Sequence, residues 1–536
     1  MLFRSGGDSI VSIQLVARAR SAGIHFTARD VFERRTVAEL AAVADSGESA
    51  AAALQEYEGG GVGTVPLTPV ARKMVERGGD FDRFVMPLML TLPAGIEREQ
   101  VTATIAAVVD KHDVLRSTLV TSGVEDALEI APAGSVDIDA TVHRVEIAAG
   151  DEPGSPEFDA VAGAAFDAAL DRLDPRTGSM LQFVWFDPAE SDRRGRLLVV
   201  PHHLVIDSVS WRILVPDFAT AGAQIAAGTS PSLEPVGTSL RRWTDGLLEA
   251  AVEPERVAEL EVWEHMLTGP DPLLGSRELD LETDLVSTLE RTRVDVPAPV
   301  TEALLGGTPG ALDGEIGDVL AAAVALAVAA WRRDRGVEAS STVVTLEGHG
   351  REESTVPGAD LSRTVGWFTT MYPARLDLAG VDIADALRGG AGAADAVQAV
   401  RDQLSAIPDR GIGYGLLRYL NPDTSAVMRN WSEPQIVFNY IGRVSAAEVP
   451  EAVRGLDWLP DFESPVTGGF EKSAMPAQAV LDIQSVISET AEGLQLSAFM
   501  SFPPGILSTP EVDRFGEFWV AALTALVGQA EERSGR

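Results

Sequence analysis

Two adjacent histidines followed by an aspartate are the residues of this chain best suited to acid–base chemistry. They stand in Leu197–Trp211, which reads LLVVPHHLVIDSVSW. The apolar, β-rich start predicts a strand that ends at the histidines, and a helix is expected to begin near Ser210. Adjacent residues of an extended chain point to opposite sides, so His202 and His203 cannot both face one small cavity. One of them can act as a general base while the other supports the structure.

A metal site is the alternative use of the two histidines and Asp207. Zinc ligands are usually spaced along a helix or lie on separate strands, whereas these histidines are immediate neighbours with no third ligand pattern nearby. The chain contains no cysteine, which excludes thiolate ligands, disulfides and cysteine nucleophiles. The segment therefore favours acid–base chemistry, and no metal site is expected.

The composition narrows the functional classes further. Among 536 residues, 80 are acidic and 43 are basic, which gives a net charge of -37. Such an acidic surface repels phosphate backbones and anionic lipids, so neither a nucleic-acid partner nor a membrane partner is expected. The most apolar helical run, Val319–Trp331, is shorter than the ~20 residues that a bilayer requires, and no stretch resembles a signal peptide. We therefore expect a cytoplasmic protein.

The order of elements indicates a small N-terminal unit and a larger α+β unit. Thr36–Glu39 (TVAE) fits a capping box that opens a helix in the first unit, and a stretch rich in Ala, Gly, Ser and Glu then predicts a linker. Helical and β-rich stretches follow without regular alternation, which favours α+β layers over a doubly wound sheet. The turn-rich Gly228–Thr238 could separate two lobes. The predicted division is a small N-terminal unit (1–45), a linker (46–64), a first lobe (65–230) and a second lobe (231–536).

Hydrophobic periodicity predicts the longer elements of the large unit. The predicted helices are Glu97–His112, Phe158–Leu173, Ser210–Ala227, Pro254–Leu267 and Gly317–Arg335. The predicted strands are Phe84–Leu92, Met180–Phe186, Leu197–Pro201, Ser341–Leu346, Gln435–Tyr440 and Leu494–Phe502.

The stretch HHLVIDSVSWRIL resembles the signature of the condensation and epimerization domains of nonribosomal peptide synthetases. Other stretches resemble the further motifs of epimerization domains, in the order of that family. They are Leu67–Pro69 with Glu76–Phe84, Glu347–Glu352 (EGHGRE), Thr364–Leu376 (TVGWFTTMYPARL), Gly411–Leu420 (GIGYGLLRYL) and Val437–Arg443 (VFNYIGR). Condensation domains lack the EGHGRE motif in this form, so the set of motifs favours an epimerization domain.

The stretch Gly6–Ile10 (GGDSI) resembles the phosphopantetheine attachment site of a peptidyl carrier domain, with Ser9 as the modified serine. The first helix and the long loop of such a carrier would precede Met1, so the resemblance implies a truncated carrier domain. It also implies 4′-phosphopantetheine as the cofactor, attached to Ser9 or brought by a carrier in trans.

The resemblance implies two lobes like chloramphenicol acetyltransferase, arranged as a V with the active site at their interface. The implied reaction is inversion, from L to D, of the α-carbon of an aminoacyl or peptidyl thioester held on phosphopantetheine. Such a reaction needs groups that remove and return the α-proton and donors to the enolate oxygen. The implied partners are a peptidyl carrier domain with its thioester-bound substrate, an upstream adenylation domain and a downstream condensation domain.

Carried over to this sequence, the resemblance assigns proton transfer to His203 and Glu347, with Tyr440 as a third relay or enolate donor. His203 can titrate near neutral pH, and burial would raise the pKa of Glu347 into the same range. Asp207 is expected to pair with Arg351 and tie two motifs together. The full set of supporting residues is His202, Asp207, Ser210, Trp211, His349, Arg351 and Asn439.

Two other functions fit parts of the pattern. A condensation-type acyltransferase that forms amide bonds would also use His203, and a degenerate module could dock carriers without catalysis. A pyridoxal-dependent racemase needs a Schiff-base lysine, but Lys111 is the one lysine in a signature motif, and that motif is structural. No dinucleotide-binding fingerprint is found. No cofactor beyond the pantetheine arm is therefore expected.

Overall fold

The computed structural model of the chain describes residues 53–121, 126–148, 153–188, 190, 192–444, 453–461, 472–490 and 493–535, together with residues 36–46 and isolated positions between 15 and 31. Ser9 and its GGDSI motif lie outside the described residues. The hydroxyl of Thr36 accepts the backbone N–H of Glu39 at 3.3 Å and donates to its carboxylate at 2.8 Å. The predicted start of helix α1 (Val37–Ser46) is thus confirmed.

The helices of the large unit agree with most of the predicted helical stretches. Those that follow α1 are α2 (Pro69–Arg77), α3 (Arg98–Lys111), α4 (Ile138–Thr141), α5 (Pro156–Leu170), α6 (Ser208–Ala226), α7 (Leu240–Ala251), α8 (Pro254–Val257), α9 (Leu260–Leu267), α10 (Ala298–Leu305), α11 (Thr308–Ala311), α12 (Ile316–Asp334), α13 (Ile383–Ala386), α14 (Ala391–Ser405), α15 (Ile412–Gly415), α16 (Pro422–Met428) and α17 (Thr509–Ser534). Within the described residues, no helix combines the length and hydrophobicity needed to cross a bilayer.

The strands form three sheets. They are β1 (Gly63–Pro66), β2 (Leu88–Ala94), β3 (Ser117–Val120), β4 (Ala127–Ile130), β5 (Val142–Ile147), β6 (Leu181–Pro188), β7 (Arg194–Pro201), β8 (Glu290–Asp295), β9 (Ser341–Gly348), β10 (Thr370–Asp377), β11 (Ile436–Val444), β12 (Leu481–Thr490) and β13 (Gly493–Phe502). Their orders are β1-β4-β3, β2-β7-β6-β5 and β10-β9-β11-β12-β13-β8.

The first lobe is a layered structure around the four-stranded sheet. Strand β7 lies between β2 and β6 and is antiparallel to both. It is buried on its two faces, because alternate residues enter different cores. Leu197 and Val199 face α3 and α6 in the first core, whereas Leu198 and Val200 face α5. This central, doubly covered strand ends at Pro201, immediately before the two histidines.

The second lobe has helices on one face of its six-stranded sheet. Strand β11 is parallel to both β9 and β12, and the other pairs of this sheet are antiparallel. The Ala-rich helix α12 and helices α14 and α17 cover one face and form the second core. The opposite sheet face is turned toward α2 of the first lobe, since the Lys73 amine reaches Met371 of β10. The predicted α+β architecture with two lobes is confirmed.

No single position along the chain separates the residues of the first core from those of the second core. The sequence-based division assigns residues 231–536 to the second lobe, yet Trp243 and Leu247 of α7 are buried in the first core. A later segment returns to the first lobe as well, where the backbone N–H of Trp458 donates to the Thr91 carbonyl at 2.7 Å. These returns join the lobes, because the chain crosses between them more than once.

Candidate active site

His202 is a structural histidine of the first lobe. Its Nε2–H donates to the Phe81 carbonyl at 2.8 Å, and its Nδ1 accepts the backbone N–H of Leu204 at 3.1 Å. The side chain is fully buried, and burial lowers its pKa to about 3. Because both ring nitrogens bind backbone groups, neither is available for proton transfer.

His203 lies between two aromatic rings at the junction of the lobes. Its imidazole stacks on Phe84, with centroids 4.7 Å apart and planes 8° apart, and contacts Trp367 at a centroid distance of 4.6 Å. Burial lowers its pKa to about 4, although the charge of Asp207 opposes this effect. His203 is therefore a neutral base at physiological pH. Trp367 forms one wall of the imidazole site.

Asp207 connects the histidine segment to the EGHGRE motif. Its two carboxylate oxygens lie 3.0 and 3.1 Å from Nη2 of Arg351, so the predicted ion pair is present. Asp207 also caps α6 by accepting the Ser210 N–H and hydroxyl, both at 2.7 Å, and it accepts the Phe368 N–H at 3.2 Å. Both carboxylate oxygens of Asp207 are thus occupied by donors of the protein, so Asp207 supports the structure of the site.

We expect Asp207→Ala to destabilise the protein by about 3–5 kcal/mol, because it leaves the buried Arg351 without a counter-charge. The free energy of unfolding in denaturant would measure this change. Asp139→Ala is the matched control, since Asp139 forms an exposed pair with Arg98 and should cost less than about 1 kcal/mol. Equal losses in the two variants, or full activity of Asp207→Ala, would contradict the role of Asp207.

Trp211 and His349 support the two motifs that carry His203 and Glu347. The Trp211 indole N–H donates to the Met86 carbonyl at 3.2 Å. Nδ1 of His349 accepts the backbone N–H of Arg351 at 3.0 Å, and its Nε2 lies 3.4 Å from a Glu352 carboxylate oxygen. Burial lowers the pKa of His349 to about 3. The contacts of His349 stabilise the EGHGRE turn.

Glu347 lies near the end of β9, on the sheet face that is turned away from the second core. Burial raises its pKa from 4.5 to about 7, and the charge of Asp482 acts in the same direction. The charge of Lys73 and a hydrogen bond from Gln484 oppose this rise. Glu347 therefore binds and releases a proton near neutral pH, which suits a general acid or base.

Polar side chains from neighbouring strands surround Glu347. Residues paired across neighbouring strands share a sheet face, and Met371 pairs with Glu347 while Asn439 pairs with Gln484. The Asn439 amide donates to Gln484 at 3.0 Å, and the Gln484 amide donates to Asp482 at 2.7 Å. Sequence reasoning missed Asp482 and Gln484. The available signal was the alternation of apolar and polar residues along β12.

Tyr440 lies on the other face of the same sheet. It has the same parity along β11 as Phe438, and it is partly buried against the second core. Successive side chains of a strand alternate between faces, so Asn439, and not Tyr440, is on the face of Glu347. The structure therefore does not bring Tyr440 to the predicted position of a third proton relay.

The segment Trp367–Met371 connects the two proposed proton-transfer groups. Trp367 contacts the ring of His203, and Met371 is the cross-strand neighbour of Glu347. Four residues of extended chain cover at most about 14 Å. His203 from the first lobe and Glu347 from the second thus flank one short stretch at the lobe junction.

A small cavity of about 20 Å³ adjoins this stretch, between α2, α7 and β10. Its lining is mostly apolar and includes Thr68, Trp243, Phe368 and Met371, with Lys73 as a basic member. Within the described part of the chain, no group of three or more histidine or carboxylate side chains could hold a metal ion.

Comparison with known families gives two matches. A family model described as "Condensation domain" matches residues 70–460, and one described as "Phosphopantetheine attachment site" matches residues 2–44. The N-terminal region thus carries the attachment site for 4′-phosphopantetheine that the sequence predicts.

Curated relatives are much longer than this chain. One of the linear gramicidin synthase proteins of Brevibacillus parabrevis is 33% identical over 545 residues, which covers 99% of this chain and 6% of that protein. Chondramide synthase cmdD of Chondromyces crocatus is 35% identical over 451 residues, which covers 83% of this chain and 11% of that protein. The chain spans only a small part of these relatives.

Solved structures share the fold. The epimerization domain from the third module of tyrocidine synthetase B matches with a TM-score of 0.72 and 22% identity, covering 90% of this chain and 100% of that chain. The X-domain from teicoplanin biosynthesis matches with a TM-score of 0.63 and 15% identity, covering 90% and 97% respectively. The predicted pair of lobes of the chloramphenicol acetyltransferase type is thereby confirmed.

Proposed function

The chain belongs to the condensation-domain family, and on this premise we propose that it inverts the α-carbon of an aminoacyl or peptidyl thioester in nonribosomal peptide synthesis. One observation carries the proposal. A second proton-transfer group, Glu347, whose pKa is raised to about 7, accompanies His203 at the lobe junction. Amide formation needs one base, whereas inversion needs a proton to leave one face of a carbon and another to arrive on the opposite face.

The order of the two pKa values supports a division of roles between His203 and Glu347. Between pH 4 and 7, His203 is neutral and Glu347 is protonated, as their pKa values of about 4 and about 7 require. The opposite arrangement, imidazolium with carboxylate, is about 10³-fold less populated. His203 therefore accepts the α-proton, and Glu347 delivers a proton to the other face. The pair returns to its starting state by exchanging protons with water.

The phosphopantetheine arm, when it carries substrate, supplies the thioester whose carbonyl acidifies the α-hydrogen. We further propose a peptidyl carrier, an upstream adenylation domain and a downstream condensation domain as partners. A cytoplasmic location stays a prediction from the sequence.

A second function is favoured by the match of residues 70–460 to a condensation-domain family model. In that case, His203 would serve as the single base for attack of an acceptor amine on the thioester. The fixed Asp207–Arg351 pair would support His203 in either reaction, so it does not separate the two functions.

Deuterium exchange would test the proposal directly. The protein would be given an L-aminoacyl thioester on a complete carrier in deuterated water, without an acceptor amine. We expect deuterium to enter the α-position and the D-isomer to appear, because the proton removed by His203 is replaced by one from solvent.

A parallel sample would contain an acceptor amine. Amide product without α-exchange would favour the condensation reaction. If the loaded carrier binds but neither exchange nor amide formation occurs, the proposal is wrong and a docking module is favoured.

A further inference from the structure

Helix α2 of the first lobe directs cationic side chains onto the second lobe. Its apolar face, with Val70, Ala71 and Met74, is buried in the first core. One turn before its end, Lys73 places Nζ 3.9 Å from the sulfur of Met371 on β10. Arg77 follows on the same side of the helix and donates to the Ala477 carbonyl at 2.6 Å. The lysine is thus held across the lobe junction by the packing of its own helix.

The position of Lys73 is defined relative to Glu347 by the sheet register. Met371 and Glu347 are directly opposite each other on the antiparallel strands β10 and β9. Side chains of such a pair have Cβ atoms about 5 Å apart on one sheet face. An amine that contacts the Met371 side chain therefore lies over the neighbour of Glu347.

The charge of Lys73 acts on several carboxylates together. Among the described residues, Nζ forms no ion pair within 4.0 Å. Its charge lowers the pKa values of Glu347, Asp482 and Glu433. Burial lowers the pKa of Lys73 itself, and nearby Arg77 and Arg418 act in the same direction, while Glu433 and Glu347 oppose them.

The groups around Glu347 come from four elements. Helix α2 contributes Lys73, and strand β10 contributes the neutral Met371. Strand β11 contributes the neutral Asn439, and strand β12 contributes Asp482 and the neutral Gln484. Lys73 and Asp482 have opposite effects on the pKa of Glu347. A positive charge favours the carboxylate of Glu347, whereas the negative charge of Asp482 favours its protonated form.

We propose that Lys73 is a positioning residue that holds a positive charge over Glu347 and thereby sets the pH range in which this carboxyl group can deliver a proton. A catalytic effect of Lys73 rests on the proposed function, in which Glu347 is the proton donor. The effect on Glu347 itself is a property of the folded protein and can be measured without substrate.

Titration of Glu347 by ¹³C NMR tests the proposal. The full chain would be labelled at the glutamate carboxyl carbon, and the signal of Glu347 would be assigned by its loss in Glu347→Gln. We expect the apparent pKa of Glu347 to rise by about one unit in Lys73→Met, because an attracting charge is removed. It should fall by a similar amount in Asp482→Asn, because a repelling charge is removed.

Two variants serve as controls. Lys73→Arg keeps the positive charge and should leave the titration of Glu347 near that of the unchanged protein. Lys111→Met makes the same substitution at the end of α3 and should have no effect. If Lys73 had only a structural role, Lys73→Met would change the temperature of thermal unfolding without shifting the pKa of Glu347. No shift in a folded Lys73→Met protein would overturn the proposal.

The exchange assay separates this result from the proposed function. If epimerization holds, the upper limb of the pH–rate profile should move in the same direction as the NMR titration in each variant. If no variant and no condition gives α-exchange while the NMR shifts are present, the proposed function is wrong and the effect of Lys73 on Glu347 stands.

Discussion

We expect His203→Ala to lower the rate of α-deuterium exchange by about 10²- to 10⁴-fold, the contribution of one positioned acid or base. The imidazole is the neutral base at the lobe junction, and alanine removes it while leaving the flanking rings of Phe84 and Trp367. Exchange into the α-position of a carrier-bound L-aminoacyl thioester is the measurement. Because the readout needs no acceptor amine, it reports proton abstraction and not amide formation.

The matched control for this variant is His265→Ala. His265 is an exposed histidine on α9, so the same substitution there should leave the exchange rate unchanged. Added imidazole could enter the gap between the two rings and should restore part of the activity of His203→Ala. An exchange rate equal to that of the unchanged protein would show that His203 does not remove the α-proton.

Glu347→Gln should cause a loss of similar size, about 10²- to 10⁴-fold, because an amide cannot deliver the proton. In the unchanged protein we expect a bell-shaped pH–rate profile with limbs near the pKa values of about 4 for His203 and about 7 for Glu347. The rate falls above the upper limb because Glu347 has lost its proton. The residual rate of Glu347→Gln should lack this upper limb.

The same carboxyl group links pH to stability. Its pKa is higher in the folded chain, about 7, than the ordinary value of 4.5, so the folded state binds the proton more tightly. This contribution to stability is complete below pH 4.5 and is lost as pH rises through about 7. Thermal unfolding should therefore show that Glu347→Gln becomes more stable relative to the unchanged protein as pH increases, by up to about 3 kcal/mol.

Glu338→Gln is the control for both effects. Glu338 is exposed and lies 3.8 Å from Arg333 in a surface pair, so its replacement should change neither the pH–rate profile nor the stability by a measurable amount. An upper limb that persists unchanged in Glu347→Gln would assign that limb to another group and would contradict the proton-delivery role of Glu347.

The spacing of apolar residues predicted the long helices well, because the residues that face the core recur with the helical period. The predicted Glu97–His112 and Gly317–Arg335 are found as Arg98–Lys111 and Ile316–Asp334. The predicted strand Phe84–Leu92 begins only at Leu88. The residues before it continue the pairing only as an isolated bridge between Val85 and His202, and Phe84 stacks on His203. Propensity could not anticipate this, because the aromatic contact joins distant parts of the chain.

Other strands were missed for a related reason. Strand β8 is an edge strand of the six-stranded sheet, and exposed positions predominate along it, so it lacks the apolar run that signals a buried strand. Strand β12 alternates Leu481 and Ile483 with Asp482 and Gln484. Its polar residues are explained only by the site they surround, which a single strand does not reveal.

The order of amino acids is enough to show which side chains could transfer protons and that two adjacent histidines have different roles. The alternation of an extended chain required that His202 and His203 face different surroundings, and their order before Asp207 carried the family resemblance. The packing of distant segments places the Lys73 amine against Met371, the cross-strand neighbour of Glu347. It also puts Asn439, and not Tyr440, on the sheet face of Glu347. The reason is physical: burial and long-range charge set the proton affinity of a carboxyl group, and both arise only when distant segments pack together.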